Sequence, residues 1–288
     1  MLGELPDGIP LAAWDGSDPA PAAIADTEFW VPPYLPGALD KFAAMPGLRV
    51  VQLLTAGFEP WLPVIPDGVV LCNGRGVHGS STAELALTGI LALLRRLPEV
   101  VEQQAEHRWA PLETYELAGR RALVVGAGDI GRRVADRLRA FEVEVTLVGH
   151  TARDGVHGAS ELADLLPRHS IVVLATPLTA NTWGLVDAAF LGALPDGALV
   201  INISRGGVVD TDALLAELTS RRLRAFLDVT DPEPLPSDHP LWTAPGVLIT
   251  PHIGGGTLGW ERRAYQLVGD QVRRYARGEQ LINVVRAR

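Results

Sequence analysis

Only one of the 288 residues is cysteine, Cys72. That excludes a disulfide within the chain and points to a reducing compartment. Cys72 ends the run VVLC at a strand end, the setting of a buried structural thiol. Charge is sparse and acidic on balance, with 20% charged residues and a net charge of −9. No general basic field is present to draw nucleic acid or an acidic membrane surface, although local arginines can still hold a small anion. No apolar run is long enough to cross a bilayer. The N-terminus lacks the basic segment and apolar core of a secretory leader. A cytoplasmic protein with neither nucleic-acid nor membrane partners is therefore expected. No histidine–cysteine cluster has metal-ligand spacing, so no metal is expected either. Internal repeats, low-complexity tracts and heptads are absent. What remains is an ordinary globular composition, 47% hydrophobic, in a chain long enough for two domains.

The chain is organised around LVVGAGDIG, residues 123–131. Three apolar residues run into Gly126, Gly128 and Gly131 with G-x-G-x-x-G spacing, and RRVADRLRAF follows with Val134, Leu138 and Phe141 on one helical face. The glycines thus sit where a buried strand turns into a helix, the context that gives this spacing meaning. Gly126 permits the tight turn, Gly128 lets a pyrophosphate approach the backbone, and Gly131 lets strand and helix pack closely. The helix N-terminus offers free N–H groups and a positive dipole end to phosphates. The pattern predicts a dinucleotide site.

Before this point the chain opens with a proline-rich stretch over residues 1–46, in which VPPYLPG is expected to be irregular. LRVVQLL and VVLCNGRG read as two strands that end in glycine turns, a small α/β unit. STAELALTGILALLRRL, residues 81–97, is the clearest helix. It has capping candidates in Ser80, Ser81 and Thr82, and Glu84 stands at capping-box spacing from Ser81. EVVEQQAEHRW is expected to extend it beyond Pro98. After Leu117, apolar strands alternate with helices: VEVTLVG, SIVVLATP, ALVIN, RAFLDVT and VLITP. They lack polar alternation, as buried parallel strands do, so a doubly wound α/β sheet is expected. Residues 261–288 read as an amphipathic helix and a tail.

Ligands bind at the carboxyl ends of such strands. There stand Arg205 after VINIS, Asp228 after RAFL, Glu233 soon after it, and His252 after LITP. Each alone is most simply an ion pair or a satisfied loop residue. Together, opposite a dinucleotide loop, they favour function. These residues also carry a resemblance. STAELALTGILALLRRLPE, LAGRRALVVGAGDIGRRVA, TPLTANTWGLVD, LVINISRGGVVDTDAL, LDVTDPEPLPSDHPLW and LITPHIGG resemble, in order, the D-isomer-specific 2-hydroxyacid dehydrogenases, which include glyoxylate/hydroxypyruvate reductases and phosphoglycerate dehydrogenases. The likeness is strong from about residue 80 to 256 and weak before residue 48.

The resemblance implies a Rossmann-type sheet (80–260) inserted in a smaller flavodoxin-like substrate domain (1–79 with 261–288), and a homodimer. It implies hydride transfer between a nicotinamide cofactor and a small 2-oxo or 2-hydroxy acid. Arg205 resembles the arginine that grips the substrate's carboxylate and carbonyl, to which a guanidinium fork is matched. His252 resembles the proton donor in reduction and base in oxidation, a task suited to an ordinary imidazole pKa of about 6.5. Glu233 resembles the carboxylate that orients that ring, and Asp228 the acid near the nicotinamide carboxamide. Ala56 and Gly57 match the turn whose N–H groups hold the substrate carboxylate. Arg75 and His78 face either the cleft or the surface. Cofactor contacts are implied for Gly126, Gly128, Asp129, Ile130, Gly131, Thr176, Pro177, Thr182, Ile203, Ser204, Arg205, Asp228, His252 and Gly254.

At the end of the second strand the family's ribose-binding acid is replaced by Gly149, and His150, Thr151 and Arg153 follow. The change removes repulsion against a 2′-phosphate and supplies groups to bind it, so NADP(H) is expected over NAD(H). An alternative from another class is a non-enzymatic NAD(H)-sensing, corepressor-like protein of the same fold. An enzyme acting on phosphite with the same three residues is a further one. Phe29, Trp30, Tyr34, Phe58 and Trp61 could line an apolar substrate pocket, although core packing explains most of them equally well.

Overall fold

The computed structural model describes residues 1–14, 20–33, 39 and 41–286. Two compact units divide it. One comprises Met1–His78 with Thr257–Arg288, and the other Gly79–Gly256.

The first unit begins with strands β1 (Phe29–Trp30), β2 (Val50–Gln52) and β3 (Val70–Cys72), paired in parallel in that order. Trp30 is buried, with its ring edge-on to Phe42 at 5.7 Å and to Trp61 at 6.0 Å. Phe58 packs on the same cluster, while Phe29 lies 5.8 Å from Tyr275. Four of the five aromatics considered for a substrate pocket are thus engaged in packing; the fifth, Tyr34, lies outside the described residues.

The second unit opens with helix α1 (Gly79–Leu94), which buries Ala83, Ala86, Ile90 and Leu94. It starts earlier than its sequence suggests, so Ser81 and Thr82 are buried within its first turn and do not precede it. Glu84 accepts instead from the Ser80 hydroxyl at 3.0 Å. The expected extension is a separate helix, α2 (Leu97–Ala105). The break falls at Arg96, whose φ of +53° is left-handed, and Pro98 then sits in a first turn where its missing N–H costs nothing.

The alternation that follows is β4 (Arg121–Val125), α3 (Asp129–Ala140), β5 (Glu144–Gly149), β6 (His157–Gly158), α4 (Leu162–Leu165), β7 (Ile171–Leu174), α5 (Ala188–Gly192), β8 (Leu199–Asn202), α6 (Thr211–Thr219), β9 (Arg224–Leu227) and β10 (Val247–Ile249). These strands form one parallel sheet in the order β10-β9-β8-β7-β4-β5-β6. It is the doubly wound arrangement expected. Every residue of β7 and β8 is buried. Ala122 and Val124 face a core built with α1 and α3, whereas Leu123 and Val125 face one built with α4, α5 and α6. In α3, Val134 and Leu138 are fully buried as expected, but Phe141 lies past the last turn and is exposed. Gly89 lets α1 lie on β9, since a Cβ there would fall 2.2 Å from the Phe226 ring. Strand order reverses between β4 and β7, which is where such a sheet opens a crevice.

Returning to the first unit, α7 (Trp260–Ala276) buries Ala264, Val268 and Val272 against Leu54 and Val77. The expected tail is a strand, β11 (Val284–Arg286), antiparallel to β3. One buried polar ladder holds it. Gln271 donates to Gln52 Oε1 and to Ile282 O, both at 2.8 Å, and accepts from Ile282 N at 2.9 Å. Beside it the Cys72 thiol is buried, and burial pushes its pKa up to about 11.

Candidate active site

The glycine loop after β4 divides its work in the way its spacing implies. Gly126 has φ +115°, and a Cβ on it would fall 2.3 Å from Ala175 O. A Cβ on Gly131 would fall 1.7 Å from Gly126 O. Both positions are closed to any side chain. Gly128, by contrast, has open space where a Cβ would point, directly before the N-terminus of α3. A pyrophosphate therefore fits against this backbone and its free N–H groups. Asp129 turns away from that approach. Its carboxylate takes a 2.9 Å ion pair from Arg133 and packs against Gly79 at the start of α1. Ile130 packs on the core shared by α1 and α3.

At the end of β5, Gly149 lies under the Arg153 guanidinium; a Cβ there would be 2.9 Å from Nη1. Arg153 also donates to Thr151 O at 3.4 Å and to Ala127 O of the glycine loop at 3.3 Å. Gly149 thus brings no side chain of its own to the end of β5, and the group that fills the space above it is the guanidinium of Arg153. His150, Thr151 and Arg153 are all exposed.

Past β7, the strand ends at Leu174, earlier than the expected Pro177. The loop beyond it is self-bonded: the Thr182 hydroxyl donates to Pro177 O at 2.7 Å and accepts from Thr179 N at 2.8 Å. Thr176 stays at the surface, its hydroxyl donating weakly to Pro177 O at 3.5 Å. After β8, Ile203 and Ser204 are buried. Asn202 shapes this turn, and sequence reasoning gave it no role. Its Oδ1 accepts from Ser204 N at 3.0 Å and Ser204 Oγ at 2.7 Å, and its Nδ2 donates to Arg205 O at 3.0 Å. Arg205 is half-buried, with Nη1 donating to Ser204 O at 2.7 Å. Gly206 lets this turn lie on the loop after β9, because a Cβ there would be 1.9 Å from Thr230 O.

The loops after β9 and β10 are joined by Asp228, only 3% exposed. One carboxylate oxygen accepts from Thr250 Oγ1 at 2.6 Å and Ile253 N at 2.9 Å; the other accepts from Gly254 N at 2.9 Å. His252 lies inside this bracket at φ +53°, a left-handed conformation uncommon outside glycine, with its N–H donating to Asp228 O at 2.8 Å. Its Nδ1 is 2.5 Å from Glu233 Oε1. That contact holds the ring, makes Nδ1 the donor and leaves Nε2 directed elsewhere; both side chains are partly open to solvent. Residues 19 apart in sequence are thereby paired. Arg205, Asp228 and His252 stand at the carboxyl ends of three adjacent strands, β8, β9 and β10.

In the first unit, Asn73 fixes the turn that contains Ala56 and Gly57. It donates to Ala56 O at 2.8 Å and accepts from Arg75 N at 3.2 Å, and the Thr55 hydroxyl donates to Gly57 O at 2.8 Å. His78 is not at the surface: it is 7% exposed, with its ring 5.4 Å from that of Trp260.

Residues 87–254 match the model of the NAD-binding domain of D-isomer specific 2-hydroxyacid dehydrogenases. The chain belongs to this family. Among similar 2-hydroxyacid dehydrogenases is the glyoxylate/hydroxypyruvate reductase A of Photorhabdus laumondii. It is 31% identical over 299 residues, covering 99% of this chain and 92% of that one. A D-isomer specific 2-hydroxyacid dehydrogenase from Xanthobacter autotrophicus, solved with NADPH and MES, superposes with a TM-score of 0.82 at 32% identity, covering 97% of this chain and 91% of that one. The NADPH-dependent glyoxylate/hydroxypyruvate reductase of Sinorhizobium meliloti, solved with NADP and sulfate, gives 0.80 at 28% identity, covering 90% and 84%. The dehydrogenase is thus an oxidoreductase acting on CH–OH donors, and the non-enzymatic alternative is not favoured. No helix among its described residues is long and apolar enough to cross a membrane.

Proposed function

We propose that this dehydrogenase reduces a small 2-oxo acid to the D-2-hydroxy acid with NADPH, and that glyoxylate and hydroxypyruvate are the first substrates to test. The observation that carries the reading is the 2.5 Å contact between His252 Nδ1 and Glu233 on a loop that Asp228 holds in place. Bound nicotinamide supplies the hydride to the substrate's C2. His252 holds on Nε2 the proton that the developing alkoxide needs, and Glu233 keeps the ring turned to deliver it. Arg205 grips the carboxylate and the carbonyl oxygen, drawing charge toward the oxygen that accepts the proton. Within the smaller unit, the turn that contains Ala56 and Gly57 offers backbone N–H groups suited to a carboxylate. Gly126, Gly128 and Gly131 seat the pyrophosphate.

The NADPH preference is supported by Gly149 at the end of β5, which brings no carboxylate to repel a 2′-phosphate, and by the Arg153 guanidinium beside it. The named relatives and neighbours act on, or were solved with, this chemistry. A cytoplasmic homodimer is the form we propose, and the exposed apolar residues Leu97, Val101 and Trp109 around α2 offer it a face.

NADPH oxidation over a panel of 2-oxo acids of increasing size tests the reading. Activity should appear with the smallest acids and exceed that with NADH. His252→Ala should lower kcat by roughly 10²–10⁴-fold while leaving cofactor binding nearly unchanged. Turnover by that variant near the wild-type rate, or NADH used as well as NADPH, would overturn it.

A further inference from the structure

Helix α3 carries four arginines, and three of them have carboxylate partners. Arg133 pairs with Asp129 at 2.9 Å, Arg137 with Glu84 at 3.3 Å, and Arg139 with Asp136 at 3.1 Å. Arg132 differs. Among the described residues it has no carboxylate partner, and its Nε donates back to Ala127 O in the glycine loop at 3.2 Å. Arg153, arriving from the loop after β5, donates to the same oxygen at 3.3 Å. Two cations from opposite sides of the glycine loop therefore meet on one neutral carbonyl. No carboxylate among the described residues pairs with either, and both are exposed. Like charges gathered in this way are unfavourable unless an anion joins them. The two bonds bring the guanidinium groups within the span of one bridging oxyanion. Each uses one or two of its five N–H donors on backbone carbonyls and keeps the rest for a ligand.

We propose that Arg132 is a second specificity-determining residue, closing with Arg153 on the 2′-phosphate of NADPH. The proposal rests on the NADPH reading above. It adds that the preference is built from both sides of the glycine loop and not from the β5 loop alone. A phosphomonoester dianion is the matching ligand, since two planar forks can share its three terminal oxygens. The 2′-hydroxyl of NADH gives them no charge to hold.

Calorimetric titration with adenosine 2′,5′-bisphosphate and with ADP separates the 2′-phosphate from the rest of the adenosine half. Arg132→Ala should weaken the bisphosphate by roughly tenfold or more and leave ADP within about twofold. Arg132→Lys should fall between the wild type and Arg132→Ala, because it keeps the charge and loses the fork. In steady state, KM for NADPH should rise while KM for NADH and kcat stay unchanged. Both variants change an exposed side chain, and an unchanged melting temperature verifies the fold. If Arg132→Ala binds the bisphosphate as the wild type does while Arg153→Ala loses it, the inference falls and the NADPH reading stands. Equal losses for ADP and the bisphosphate would also sink it, by making Arg132 a general structural support. If neither Arg132→Ala nor Arg153→Ala changes the affinity for the bisphosphate, both readings are overturned.

Discussion

Asp228 shows how one buried carboxylate can serve chemistry it does not perform. Its two oxygens take three hydrogen bonds from Thr250, Ile253 and Gly254, and its own carbonyl takes a fourth from His252 N. The histidine's left-handed backbone is thus set by its neighbours on both sides. Asp228→Asn keeps the shape but replaces one acceptor oxygen with an amide that faces a donor. Loss of about 1–3 kcal/mol of stability is expected, read by urea unfolding, because a buried donor is left unmet. The kcat should fall as well, with KM for NADPH changing little, since the ring loses its fixed approach. A variant as stable and as fast as the wild type would show that the loop holds His252 without this bracket. The same logic explains why Arg205, Glu233 and His252 were legible as candidates while Asn202 and Asn73 were not. A charged residue at the end of an apolar strand stands out in sequence. An asparagine that orients a turn shows itself only through partners that folding brings to it, and neither NIS nor CNG announces them.

Elements differ in legibility for a related reason. The parallel strands of the larger sheet could be read because burial on both faces leaves uninterrupted apolar runs, as in IVVL and LVIN. Strands β1, β6 and β11 could not. They are two or three residues long, and only pairing with distant chain defines them. The division between α1 and α2 was hidden because the left-handed residue is Arg96 and not glycine. Where elements meet, a single side chain can tie several together. His169 sits just before β7, 4% exposed, with Nδ1 donating to Leu165 O in α4 at 2.6 Å and Nε2 2.9 Å from the Thr146 hydroxyl in β5. Burial holds its pKa below the usual value, and the nearby Arg121 and Arg168 push the same way. The neutral ring is therefore the folded form. Its stabilising contribution is complete above the unfolded pKa of about 6.5 and is lost as pH falls through the lowered folded value. His169→Asn should be less stable than the wild type at pH 7.5, by about 1–3 kcal/mol. The gap should narrow toward pH 5, where the wild type alone must leave a proton off the ring or unfold. Parallel urea-unfolding curves for the two proteins across that range would refute the assignment.

At the scale of the molecule, the two units are unequally built. The Gly79–Gly256 unit has seven strands with cores on both faces, and every residue of β7 and β8 is buried. The other unit's sheet has four strands of two or three residues each, held through an aromatic cluster and the Gln271 ladder. Opening free energies follow local burial and local hydrogen bonding, so exchange protection should be uneven along the chain. The slowest amides should lie in β4, β7 and β8, and those of β1, β2 and β11 should exchange sooner. The glycine loop, the β5 loop and the Asp228 bracket all belong to the larger unit, and these are the proposed cofactor contacts. NADPH at about 100 times its Kd should therefore deepen protection of that unit by up to about 2.7 kcal/mol for every opening that breaks the site. Openings confined to the smaller sheet that leave the bound cofactor undisturbed should slow far less. Hydrogen exchange followed by mass spectrometry, with and without NADPH, reads both effects in one experiment. Uniform protection along the chain, or slowing by NADPH confined to residues 1–78, would place the stable core and the cofactor's binding energy elsewhere.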